Sequence, residues 1–269
     1  MPALNGLIQI FHSIHPAYSI SGFIVGLLVG LTGVGGGSLM TPLLVIIFGI
    51  PATTAVGTDL LYACITKGVG TAVHGFSRTV EWPIVLRLAT GSVPGTALTL
   101  IALSHFQTRT TGVSTTITTV LGCALILTAV SIIFRKFILN SVAEFTSKLT
   151  ARQTNLFTII LGAVLGVLVS ISSVGAGAIG VTFLLILYPK LPAGKIVGSD
   201  IAHAVPLTLV AGIGHWLLGS VDGLLLASLL VGSLPGIVIG SYISSRVPDK
   251  VLRPILAGTL AAVGARLSF

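Results

Sequence analysis

Residues 30–44 read "GLTGVGGGSLMTPLL", and the fold turns on how that stretch is interpreted. It lies in one of the most apolar parts of the chain, yet it carries Gly33, Gly35, Gly36 and Gly37, with Pro42 soon after. Each interior glycine costs a helix about 1 kcal/mol relative to alanine, and proline removes a backbone donor. The spacing therefore predicts an apolar helix that breaks near Gly33–Gly37 and resumes as a short second piece.

The composition sets the surroundings of that break. Of 269 residues, 54% are hydrophobic and only 7% are charged, and the mean hydropathy is +1.09. A soluble domain of this length needs far more surface charge. Apolar runs recur along the whole chain without the strict alternation of barrel strands, so the fold class expected is an all-α polytopic membrane protein. The net charge of +8 sits in short connections between apolar runs, as in cytoplasmic loops facing anionic lipid, and a nucleic-acid partner is not expected. Cys64 and Cys123 fall in apolar runs, which argues against a disulfide framework, and "MPALNGLIQIFHSIH" lacks the basic start of a cleavable signal.

Ten hydrophobic segments are expected, near 17–36, 38–50, 57–76, 83–104, 112–134, 155–174, 177–189, 197–218, 222–244 and 251–268. The polar connection 135–154 splits them into an N-terminal segment 1–16, a first repeat 17–134 and a second repeat 155–269. "PATTAVGTDL" at Pro51 returns as "PAGKIVGSDI" at Pro192, 141 positions on. The same displacement takes His74 to His215, Glu81 to Asp222 and "GSVPG" at Gly91 to "GSLPG" at Gly232. With a one-residue gap it takes the opening stretch to "VLVSISSVGAGAIG" at Val167, so a second break is expected near Gly175–Gly177.

Arg135, Lys136, Lys148 and Arg152 place the central connection in the cytoplasm, and Lys190 and Lys195 return to that side. Counting outward puts Arg78 and Arg87 inside, Asp222 outside and both termini outside, with Arg109 the one basic residue against the pattern. Five segments per half, an odd number, invert the second copy. Inverted repeats with matching broken helices mark secondary transporters, whose sites form where the breaks meet near the midplane.

At the breaks, backbone N–H groups backed by a helix dipole favour an anion. Thr32, Gly35, Gly36, Gly37 and Ser38 from the first break, with Ser172, Ser173, Gly175 and Gly177 from the second, are the candidate substrate-binding residues. A structural hairpin is the plainer alternative. The rows Gly22, Gly26, Gly30 and Gly162, Gly166, Ser170 read as helix packing. Lys67 lies about 12 Å along a helix from Asp59, in mid-membrane, where an ionisable group is functional by default; it either holds an anion or titrates, snorkelling being the alternative. Its counterpart Thr208 is neutral.

Asp59 and Asp200 follow "VGT" and "VGS", where helices are expected to start with Thr58 or Ser199 as caps; coupling to a proton or sodium ion is the other role. His203, three residues after Asp200, is expected to pair with it as a proton carrier, and Tyr62 stands in the same relation to Asp59. Asp59, Lys67 and His74 share one face at 100° per residue. His74 and His215 fall near helix ends, and Pro94 and Pro235 are expected to kink their helices. No P-loop, zinc motif or nucleophile elbow is present, so neither an enzyme, a cofactor nor a metal is expected.

"GLLVGLTGVGGGSLMTPLLV" with "AVGTDLLYACITKGVGTAVHG" resembles the first repeat of the sulfite exporter TauE/SafE family of membrane permeases. "SSVGAGAIGVTFLLILYPKLPAGKIVGSDIAHAVPLTLVAGIGHWLLGSVD" is similar to the second repeat of one subgroup, and together the likeness runs from about Ser19 to Leu267. The second break departs from the triple glycine of many members. The resemblance implies a bacterial inner-membrane transporter, in the export direction, for sulfite, an organosulfonate or a related small anion. A passive anion channel and a carrier of small carboxylates are the alternatives.

Overall fold

The computed structural model describes residues 14–32, 37–76, 79–107, 113–135, 137–139, 141–142, 149–175, 177–243 and 249–268. Ten principal helices run through them. They are α1 (Pro16–Thr32), α2 (Gly37–Ile46), α3 (Ala52–Phe76), α4 (Trp82–Gln107), α5 (Val113–Ile133), α6 (Ala151–Ser172), α7 (Ala178–Leu187), α8 (Ala193–Leu217), α9 (Gly223–Ile243) and α10 (Asp249–Ser268). Every expected segment has its helix, and the described residues contain no strand.

Local chemistry sets several boundaries. Thr150 and Gln153 form a reciprocal capping box that starts α6, and Ser173 stops it in a left-handed conformation. The Asp222 carboxylate accepts from the N–H groups of Leu224 and Leu225, satisfying two donors at the start of α9. Among the described residues, α4, α5, α6, α8 and α9 are long and apolar enough to cross a membrane. The ten residues of α2 and of α7 reach only about 15 Å, half a hydrocarbon core of about 30 Å. Both are therefore half-helices, held inside the bundle with Met40, Thr41 and Leu44, and Val181, Thr182 and Leu184, buried.

Polarity is distributed inside-out. Leu98, Ile101, Leu127, Ile160 and Val238 are exposed, whereas Asp59, Lys67, Asp200 and His203 are buried. Lipid can cover the first set, and the second must be satisfied within the protein.

Helix pairing exchanges the halves. α1 packs on α9 as α4 packs on α6; α3 also touches α9 as α8 touches α4; α3 lies on α8 and α5 on α10. The glycine rows make these approaches possible. A Cβ on Gly26 would lie 2.5 Å from the Ser233 carbonyl oxygen, and one on Gly166 would lie 2.5 Å from that of Ser92, its equivalent. Only glycine lets the backbones come so close, and in lipid that van der Waals contact is a main source of helix association.

Hydrogen bonds repeat the exchange. Ser199 Oγ accepts from Glu81 N at 2.8 Å, and Thr58 Oγ1 accepts from Asp222 N at 3.0 Å. These hydroxyls cap the entries to α4 and α9, not their own helices. The expectation that α3 and α8 begin near Asp59 and Asp200 is corrected. They start at Ala52 and Ala193, after Pro51 and Pro192, so the aspartates lie inside their helices and no acidic residue occupies either first turn. The "GT" and "GS" pairs looked like caps because Gly and Thr or Ser favour helix starts, but here they are buried against other parts of the bundle and the helix runs through them.

Lys195 in the first turn of α8 also pairs with Glu81. Both side chains are partly exposed, so Lys195→Met should lower unfolding stability by less than about 1 kcal/mol. Denaturation in detergent micelles measures it.

Candidate functional site

The bundle's polar centre forms where the half-helices meet α3 and α8. Asp59 is 0% exposed, Asp200 1%, His203 0% and Lys67 3%. Thr41, from half-helix α2, donates its hydroxyl to Asp59 Oδ2. Ser173, from the second break, lies against the same carboxylate, so the break of one half meets the acid of the other. On the opposite side, half-helix α7 presses on Asp200 closely enough that a Cβ on Gly180 would clash with Oδ1. Lys67 sits within Coulombic reach of both Asp200 and Asp59. One lysine thus serves two carboxylates from the two halves.

Around this trio lie polar atoms without a hydrogen-bond partner among the described residues: Asp59 Oδ1, Asp200 Oδ1, Ser173 Oγ and His203 Nδ1. Buried polar groups are nearly always satisfied, and a cluster that is not calls for a ligand, an ion or water. His203 does not pair with Asp200. Its Nε2 contacts Ser92 Oγ at 2.9 Å, across on α4. The sequence spacing put Asp200 and His203 one turn apart, but the ring turns to Ser92 on α4, which packs on α8. The equivalent Tyr62 stands beside Ser233, which shares a 3.2 Å contact with Thr66.

The second break is itself ordered by its serines. Ser172 Oγ donates to Leu168 O and receives Val174 N at 3.2 Å, while Ser173 N bonds Val169 O at 2.8 Å. Gly175 and Gly177 take φ of 119° and 130°, values that a side chain would oppose. Among the described residues, no side chain caps the start of α7. So Ser173 faces the trio, whereas Ser172 shapes the turn. His215, in the last turn of α8, contacts the Ser170 carbonyl oxygen through Nε2 at 2.8 Å and pins α6 next to the break. Gly35 and Gly36 lie outside the described residues, as do the side chains of Thr32, Ser38 and His74; Gly37 opens α2.

Thr41, Ser92, Tyr62 and Ser233 escaped the sequence reading as site residues. The signal was present: Ser92 and Ser233 are the serines of the repeated "GSVPG" and "GSLPG". Their direction into the bundle was not.

The profile of the family described as sulfite exporter TauE/SafE matches residues 18–267. The chain belongs to the TauE/SafE family. It is 40% identical over 249 residues to the probable membrane transporter protein YjnA of Bacillus subtilis, covering 92% of this chain and 97% of that one. It is 30% identical over 254 residues to YdhB of the same organism, again with 92% and 97% covered. A probable membrane transporter protein of Methanocaldococcus jannaschii is 26% identical over 214 residues, 77% of this chain and 74% of that one. No solved structure gives a significant match. This TauE/SafE protein is accordingly a multi-pass membrane transporter, and its buried trio is the polar feature around which a transport site can be built.

Proposed function

We propose that this protein is a secondary transporter of a small oxyanion, sulfite or an organosulfonate, across the bacterial inner membrane. The substrate binds between the second break and the α3–α8 pair, with a proton as coupling ion. The observation that supports this reading is Lys67 shared by Asp59 and Asp200 among buried atoms that lack partners among the described residues. An ammonium group beside unsatisfied hydroxyl and carboxyl groups can receive an oxyanion if the carboxylates are neutralised. Fully ionised, the trio sums to one negative charge, and a bound anion adds to it; a net charge of that size is not sustained in a low-dielectric interior. Each proton taken up by Asp59 or Asp200 lowers it by one, so anion occupancy and protonation are linked.

Sodium is disfavoured because the Lys67 ammonium already supplies a positive charge within Coulombic reach of both carboxylates. Two halves related by inversion would let the same trio be reached from either side in turn. Export is the proposed direction. A membrane potential negative inside drives an anion outward by about 2.3 kcal/mol per charge per 100 mV, and a dianion accompanied by one proton still carries negative charge out.

Proteoliposomes holding only this protein test the reading with sulfite, sulfoacetate, thiosulfate and a dicarboxylate. The expected result is saturable flux with counterflow for a sulfur oxyanion, accelerated by a pH gradient and indifferent to sodium. Asp200→Asn should abolish the response to the pH gradient. Flux that neither saturates nor shows counterflow would make the protein a channel. Preference for the dicarboxylate would change the substrate class, and indifference to both gradients would remove the coupling.

A further inference from the structure

A second polar feature lies well away from the trio. At the end of the bundle where α4 and α6 begin and α7 ends, a cavity of about 390 Å³ is lined by Arg87, Thr154, Asn155, Tyr188 and Lys190, with leucines forming its apolar wall. The volume falls in the usual range of small-ligand cavities, about 300–1,000 Å³. Arg87 is held in place: its guanidinium reaches the Tyr188 hydroxyl at 3.4 Å, and that hydroxyl contacts Thr158 Oγ1 at 2.9 Å. Lys190, in the turn after α7, brings a second cation, and Thr154 and Asn155 add neutral donors from the first two turns of α6.

The level in the membrane is marked by Trp82, exposed at the first residue of α4, as aromatic residues are at a lipid–water interface. Arg87 follows it by five residues, about 8 Å deeper. The charge is not a by-product of the repeat. At the equivalent positions of the other half, Arg87 becomes Ser228, Tyr188 becomes Ile47 and Lys190 becomes Gly49. The equivalent positions of the other half therefore lack the paired cations.

We infer that this cavity binds a phosphate group, with Arg87 and Lys190 neutralising it and Thr154 and Asn155 donating to its oxygens. Guanidinium and ammonium groups at interfacial depth, beside an apolar wall, match the amphipathic head of an anionic phospholipid. A water-soluble phosphate ester offers the same oxygens without the acyl chains. The site stands independently of the transported substrate, since none of its residues belongs to the buried trio.

Native mass spectrometry of the full-length protein in neutral detergent decides it, titrating phosphatidylglycerol, phosphatidylcholine and, separately, glycerol 3-phosphate. The expected result is phosphatidylglycerol binding about tenfold tighter than phosphatidylcholine, lost by about tenfold in the double variant Arg87→Gln/Lys190→Gln. Arg152→Gln, an exposed basic residue outside the cavity lining, should leave binding unchanged. If glycerol 3-phosphate binds with the same dependence on the two cations, the phosphate site holds and its source is the aqueous phase. Equal weakening by Arg152→Gln would reduce the effect to diffuse surface charge and overturn the site. So would a double variant that binds like the parent. Should the double variant fail to fold, exposed Lys190→Gln alone carries the same comparison.

Discussion

Replacing Lys67 with methionine is expected to lower saturable anion flux in proteoliposomes by about a hundredfold or more. Methionine keeps the length and most of the volume, so packing changes little, and what disappears is the charge shared by Asp59 and Asp200. Removing one partner of a buried ionic group typically costs about 3–5 kcal/mol, because the remaining charge is left uncompensated. That magnitude corresponds to about 10²–10³ in an equilibrium constant. The same argument predicts the rescue. Lys67→Met/Asp200→Asn removes one of the two stranded charges, and its melting temperature should recover toward that of the parent while flux stays low. Flux in Lys67→Met equal to the parent's would move the substrate path to the glycine breaks alone. A double variant no more stable than the single would mean that the three groups do not share their charge.

The second large effect is structural. Gly91→Ala should lower the melting temperature by several degrees, a loss of about 2–4 kcal/mol, whereas Gly68→Ala should be neutral or slightly stabilising. A Cβ at Gly91 would drive into the Ile159 carbonyl oxygen and lie 2.8 Å from Ala163 N, both backbone atoms of α6 that cannot turn aside. At Gly68 the same Cβ meets nothing within 4 Å, so only the gain in helix propensity remains. Overpacking against a side chain is relieved by a new rotamer; overpacking against backbone separates two helices and forfeits their contact along the whole interface. Because the glycine contacts of α1 on α9 mirror those of α4 on α6, Gly232→Ala, which meets the Ser19 carbonyl oxygen, should behave as Gly91→Ala does. Thermal unfolding of the three variants in one detergent makes the comparison, and equal melting temperatures for Gly91→Ala and Gly68→Ala would refute it.

Much of this was legible in the one-dimensional chain. Apolar runs, two of them cut short by glycine breaks, predicted the ten helices, and the 141-residue displacement announced that Asp59, Tyr62 and Ser92 have counterparts in Asp200, His203 and Ser233. Lys67 stood out because a charge in mid-membrane has a free-energy cost that no local propensity repays. Helix starts were harder. "VGTD" and "VGSD" carry the residue types of a cap, and only the packed bundle shows that Thr58 and Ser199 cap the entries to other helices.

By itself, then, the sequence determined the class of protein, the number of helices, the repeated breaks and the presence of one mid-membrane lysine whose counterpart in the other half is neutral. These follow from hydrophobicity, glycine content and charge, which are properties of each residue and its near neighbours. Tertiary structure decided which groups meet: Lys67 with both aspartates, Ser173 with the acid of the opposite half, and His203 with Ser92 in place of Asp200. Those choices depend on how close two helices come and how they are rotated about their axes. In a lipid-covered bundle both are set by contacts between residues far apart in the chain, above all by glycines lying against another helix's carbonyl oxygens, and no local pattern encodes them.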